Sequence, residues 1–132
     1  MESLYIEATT TTPKIDFNIE TGVFNMEGKA IDNDAESFFK PVLAWLGEYA
    51  EAPHQKTNVI VKLDYFNISS SKRILFMFYK LNELHDNGSD VSVTWHYQED
   101  EDDMFEVGQD FAFMVKIPFE FCEYSMFEKA LA

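Results

Sequence analysis

Three consecutive serines are the residues of this sequence best placed to carry chemistry. Ser69, Ser70 and Ser71 follow Asn67 and Ile68, at the point where a buried strand is expected to give way to a helix. Backbone N–H groups in a first helical turn lack intrahelical partners, so they bind hydroxyl oxygens well and phosphate oxygens better. The run therefore predicts either simple helix capping or a phosphorylation site, with Ser69 and Ser70 as the candidate acceptors.

A second signal lies on the face of the same helix that points away from its apolar stripe. At about 100° per residue, this face carries Lys72, Phe76 and Tyr79, and two aromatic side chains exceed what a solvated face needs. A second packing layer or scattered exposure is the alternative explanation. The predicted partner-binding residues are those around the helix start and on this face: Asn67, Ile68, Ser71, Lys72, Phe76 and Tyr79.

Other polar clusters give weaker signals. The acidic run Glu99–Asp103 lacks the spacing of a calcium loop and is typical of a solvated helix start. His54, His85 and His96 lie in separate segments without paired-ligand spacing. No nucleophile elbow, phosphate loop or dinucleotide fingerprint occurs, so we expect no catalytic residues, metal or cofactor. A small metal-binding enzyme that combines His96 with carboxylates remains the alternative.

Composition and charge narrow the class of protein. The 132 residues have a hydrophobic content of 46% and suffice for one domain over residues 1–132. A formal net charge of -14 disfavours binding to nucleic acid. The single cysteine, Cys122, indicates a reducing compartment, and no apolar run is long enough for a membrane span. We therefore expect a cytoplasmic protein that binds neither nucleic acid nor membrane.

The elements that must position the serines follow from hydrophobic periodicity. A short strand and a β-hairpin that turns at Gly22 precede three helices, each followed by a strand. This order predicts an α/β fold with a mixed, partly parallel sheet. The run over residues 57–66 suggests a strand buried on both faces. Pro41 is awkward within the first helix, and the stripe predicted for the third helix is Met104, Val107, Phe111 and Met114.

Several segments, in this order, resemble the SiaC family of bacterial regulatory phosphoproteins. They are Leu4–Ile6, Thr12–Pro13, Pro41–Leu46, Leu63–Lys72, Val93–Tyr97 with the acidic stretch after it, and Pro118–Phe119. The resemblance implies a fold like the STAS domain of anti-sigma-factor antagonists. It also implies a non-enzymatic partner switch, in which a cognate Ser/Thr kinase and a phosphatase control binding to a diguanylate cyclase in cyclic-di-GMP and biofilm signalling.

One position departs from the family pattern. The resemblance places a phosphorylated threonine directly after Asn67, and this chain has Ile68 there. Either Ser69 or Ser70 takes over as the acceptor, or the chain binds its partner constitutively as an adaptor. The leading hypothesis is a phosphorylation-controlled regulator whose binding surface is the helix that starts near Ser69.

Overall fold

Six strands and three helices make up the described part of the chain. The structure, a computed structural model, describes residues 1–125. The elements in chain order are β1 (Leu4–Ile6), β2 (Lys14–Phe17), β3 (Val23–Ala30), α1 (Ala35–Tyr49), β4 (Lys56–Phe66), α2 (Ile68–Asp86), β5 (Asp90–Gln98), α3 (Asp102–Met114) and β6 (Phe119–Tyr124).

All six strands form one mixed sheet in which spatial order equals chain order, β1-β2-β3-β4-β5-β6. The first three strands pair antiparallel, and Gly22 has a φ of 75° in the β2–β3 turn, where a side chain would be strained. From β3 onwards each strand pairs parallel with the next. The predicted α/β fold with an N-terminal hairpin and a mixed, partly parallel sheet is therefore confirmed; the closer likeness to STAS domains stays a prediction.

The three helices pack on the same face of this sheet. Phe24 on β3 meets Trp45 of α1 with ring centroids 5.3 Å apart. Trp95 on β5 contacts Phe78 of α2 at 6.4 Å and Phe111 of α3 at 5.7 Å. Alternate residues of β3 and β5 therefore line one aromatic-rich core beneath all three helices.

This arrangement corrects the prediction for β4. Val59, Val61 and Leu63 are buried beneath the helices, whereas Asn58 and Ile60, which point to the other face, are only half-buried. A strand is buried on both faces only where helices cover both sides of the sheet. Here β4 is central and parallel to both neighbours, yet one face of the described sheet carries no helix.

The first helix accommodates Pro41, whereas the end of α3 differs from the sequence pattern. The Asp34 side chain caps α1, and hydrogen bonds from the Ser37 hydroxyl and backbone hold the pKa of Asp34 below its ordinary value. The helix runs through Pro41, six residues after its start. Met114 was expected in the buried stripe of α3 but is exposed, because the backbone becomes extended at Val115.

No helix within residues 1–125 is both long and apolar enough to cross a membrane.

Candidate functional site

One side chain, that of Asn67, forms the hydrogen bonds that begin α2 at the end of β4. Its backbone is extended (φ -91°, ψ 175°), and its side-chain oxygen accepts a hydrogen bond of 2.8 Å from the Ser70 backbone N–H. The side-chain amide donates to the Asp32 carbonyl just before α1, at 3.2 Å. Asn67, and none of the serines, is therefore the N-cap of α2, and its two hydrogen bonds tie the starts of α1 and α2 together.

With the cap assigned to Asn67, the serines occupy the first turn of α2 and differ in accessibility. Ser69 is exposed, Ser70 is 1% exposed and Ser71 is half-buried. The steps of about 100° per residue turn Ser70 towards the core side that carries Ile74, and turn Ser69 outwards. The burial of Ser70 keeps its hydroxyl from a kinase in this conformation, so Ser69 is the stronger of the two predicted acceptors.

Ser69 shares its side of α2 with two cations and an aromatic ring. Lys72, Arg73 and Phe76 follow it at i+3, i+4 and i+7, the spacings that place side chains next to one another on a helix. The Lys72 ammonium lies 5.9 Å from the Phe76 ring centroid, and the Arg73 guanidinium lies 5.5 Å from it. Both cations lie within cation–π distance of the ring of Phe76, which is half-buried.

Large apolar side chains are exposed along the same side. Ile68, the first residue of α2, is 91% exposed, and Tyr79 lies about 20° from it around the helix axis. Tyr65, near the end of β4, is exposed just before the cap. We call Ile68, Ser69, Lys72, Arg73, Phe76 and Tyr79 the outer face of α2. It joins apolar surface, positive charge and a hydroxyl, a composition compatible with the predicted role in partner binding, which stays a prediction.

Arg73 connects the outer face of α2 to α1. Its guanidinium lies 3.5 Å from the Glu36 carboxylate, at the start of α1. The two residues line a cavity of about 220 Å³ together with Lys40 and Leu43. The Arg73 Nε atom is buried and has no hydrogen-bond partner among the described residues. The sequence prediction missed Arg73, although its i+4 spacing from Ser69 was a signal; the contact with Glu36 depends on the packing of α1 against α2.

The histidines and the acidic run do not come together in one site among the described residues. Among residues 1–125, no three His, Cys, Asp or Glu side chains are placed to hold a metal ion together. His96 lies on the helix-free face of the sheet, where burial and the nearby Lys62 lower its pKa while Glu120 and Glu27 act in the opposite direction. The acidic run leads into α3, with Asp102 in its first turn.

We expect Asn67→Ala to lower the free energy of unfolding by about 1–2 kcal/mol, because it removes the α2 cap and the bond to the Asp32 carbonyl. Urea denaturation measures the loss. The matched control is Asn67→Asp, which retains a capping oxygen but not the amide donor, and we expect it to lose less. Equal stability of Asn67→Ala and the wild type would contradict this role.

Comparison with known proteins places this chain in a family. The model of the SiaC family regulatory phosphoproteins matches residues 6–124. An uncharacterized protein of Pseudomonas aeruginosa strain UCBPP-PA14 is 27% identical over 119 residues, which cover 90% of this chain and 94% of that protein.

Solved structures agree with that match. The crystal structure of apo-SiaC from P. aeruginosa superposes with a TM-score of 0.84 at 27% identity, covering 92% of this chain and 99% of that one. The same TM-score, identity and coverage hold for the crystal structure of the P. aeruginosa diguanylate cyclase SiaD in complex with its activator SiaC. Because the family model spans nearly all of the described residues, this chain belongs to the SiaC family of regulatory phosphoproteins, which are regulators and not enzymes.

Proposed function

We propose that this chain binds and regulates a diguanylate cyclase, and that phosphorylation of Ser69 by a cognate Ser/Thr kinase ends the binding until a phosphatase removes the phosphate. The binding surface is the outer face of α2. Support comes from the family, whose members are regulatory phosphoproteins, and from the P. aeruginosa relative that is crystallised with a cyclase as its activator. The cytoplasmic location predicted from the sequence is part of this proposal.

The observation that carries the proposal is the position of Ser69 on the outer face of α2. Its hydroxyl is exposed between Ile68, which is 91% exposed, and the pair of cations at Lys72 and Arg73. In a chain with a net charge of -14, the exposed Lys72 gives this surface a positive charge that favours an acidic partner, while the charge of Arg73 is balanced in part by Glu36. A phosphate on Ser69 adds about -1.5 to -2 of charge and cancels this complementarity.

The first test maps the phosphate. The purified chain is incubated with ATP and a lysate of its source cells, recovered, and analysed by mass spectrometry. We expect phosphate on Ser69, and none on a Ser69→Ala variant treated in the same way. Phosphate only on Ser70, Ser71 or another residue would contradict the assignment of Ser69.

The second test measures the switch. Binding to a diguanylate cyclase from the same genome is compared for the phosphorylated and unphosphorylated chain by calorimetry. We expect at least about tenfold weaker binding after phosphorylation, which corresponds to about 1.4 kcal/mol. Equal affinity of the two forms would contradict the switch even if Ser69 is modified.

A second candidate function is a constitutive adaptor that is not controlled by phosphorylation. The exposed Ile68 favours it, because this residue occupies the position next to the cap where the resemblance places an acceptor threonine. The variant Ile68→Thr separates the two functions. If the lysate phosphorylates Ile68→Thr at residue 68 and leaves the wild type unmodified, the adaptor is correct. Phosphate on Ser69 of the wild type supports the switch.

A further inference from the structure

We infer that Arg73 binds the phosphate of phosphorylated Ser69, and that it gives up its ion pair with Glu36 to do so. Phosphorylation then has two effects: it changes the charge of the outer face of α2 and opens a contact between α1 and α2. The inference rests on the proposed function, because it takes Ser69 as the modified residue, and it adds the side chain that detects the phosphate.

Helix geometry selects Arg73 for this role. Residues at i and i+4 on a helix have Cβ atoms about 5–6 Å apart, within reach of a guanidinium and a phosphate. Ser69 has Arg73 at i+4 and Lys72 at i+3. Ser71, by contrast, has only Ile74 and Leu75 at these positions. Of the two serines with access to solvent, Ser69 is therefore the one whose phosphate has cations of its own helix to bind.

The existing ion pair is weak enough to be exchanged. The Arg73–Glu36 distance is 3.5 Å, and solvent screens the pair from the side of Glu36, whose side chain is 74% exposed while that of Arg73 is 23% exposed. A phosphate has up to twice the charge of a carboxylate and accepts both arms of a guanidinium. The first turn of α2 adds the favourable field of a helix N-terminus. Arg73 also gains a hydrogen-bond acceptor, because its buried Nε atom has no partner in the described structure.

The exchange of partners by Arg73 changes the contact between α1 and α2. In the present conformation Arg73 lies beside the Phe76 ring and lines the cavity that it shares with Lys40 and Leu43. When Arg73 turns towards Ser69, the Glu36 carboxylate loses its partner and the cavity loses one wall. Phosphorylation is thus communicated to α1 as well as to α2.

The test installs phosphoserine at position 69 of the full chain by genetic code expansion, so that no kinase is needed. ³¹P NMR then follows the titration of the phosphate. A nearby guanidinium favours the dianion, so we expect the second pKa of the phosphate to fall about half a pH unit or more below its ordinary value of about 6. The variant Arg73→Gln should remove most of this decrease, and the control Lys72→Gln a smaller part.

Glu36→Gln identifies the exchange itself. Removing the competing carboxylate should lower the phosphate pKa further in the wild-type background, and have a much smaller effect when Arg73 is already Gln. A double-mutant cycle over Glu36 and Arg73 measures this coupling. A phosphate that titrates alike in the wild type and in Arg73→Gln would overturn the inference.

The outcomes distinguish this inference from the proposed function. If the lysate never phosphorylates Ser69 but the installed phosphate titrates as expected, the proposed function fails and the Arg73 site remains. If Ser69 is phosphorylated and controls cyclase binding but Arg73→Gln leaves the titration unchanged, the proposed function remains and the Arg73 site fails.

Discussion

Ile68→Gln should weaken binding to the proposed cyclase partner by about 30-fold or more without lowering the stability of the fold. The Ile68 side chain is 91% exposed and therefore contributes little to the core. Truncating a hot-spot side chain at the centre of an interface costs about 2 kcal/mol or more of binding free energy, which corresponds to about 30-fold in affinity. Calorimetry against the cyclase measures the affinity, and thermal unfolding measures the stability.

Glutamine is chosen at position 68 so that a change in affinity is not accompanied by a change in stability. Glutamine is at least as good a helix former as isoleucine, and it adds neither a charge nor a hydroxyl that a kinase could modify. The matched control is Phe113→Gln: Phe113 is also 91% exposed, but it lies near the end of α3. We expect this control to bind normally. Equal losses for both variants would show that the cyclase does not distinguish the outer face of α2.

Gly108→Ala should destabilise the fold by about 1–3 kcal/mol, the usual range for overpacking a core. A Cβ atom at Gly108 would lie 2.6 Å from the Trp95 Nε1 atom, closer than such atoms can approach. Trp95 has little freedom to move, because it is fully buried and donates a hydrogen bond of 3.0 Å to the Met104 carbonyl. Chemical denaturation with a linear extrapolation measures the change.

A second helical glycine provides a control for which we expect the opposite effect on stability. Gly47 lies in α1, and a Cβ atom there would meet nothing within 4 Å. Gly47→Ala should therefore stabilise the chain by up to about 1 kcal/mol, through helix propensity alone. If Gly108→Ala were as stable as the wild type, the packing of Trp95 against α3 would have to differ from that described.

Sequence periodicity predicted the elements well because it depends on local geometry. The second helix does bury one apolar stripe, which consists of Ile74, Met77, Phe78, Leu81 and Leu84, and the hairpin turns at Gly22 as predicted. The helix start was also placed correctly, but its cap was not assigned to Asn67. Asparagine and serine are equally good caps, so composition alone does not choose between them.

Most of the features that the sequence did not predict depend on contacts between elements that are distant in the sequence. Whether β4 is covered on one face or on two depends on the side to which each crossover helix returns. The exposure of Met114 depends on where α3 ends, and the contact of Arg73 with Glu36 depends on how α1 meets α2. Gly108 carried no sequence signal of its close approach to Trp95, since the contact joins a strand to a helix.

The agreement between spatial order and chain order in the sheet has a consequence for synthesis on the ribosome. Each described strand after β1 pairs with the strand made immediately before it, so none has to be inserted between two strands that are already joined. The sheet can grow from its β1 edge as the chain emerges, first by pairing β2 with β1 and then β3 with β2. The cap at Asn67 then becomes available only after Asp32, its partner before α1, has left the ribosome.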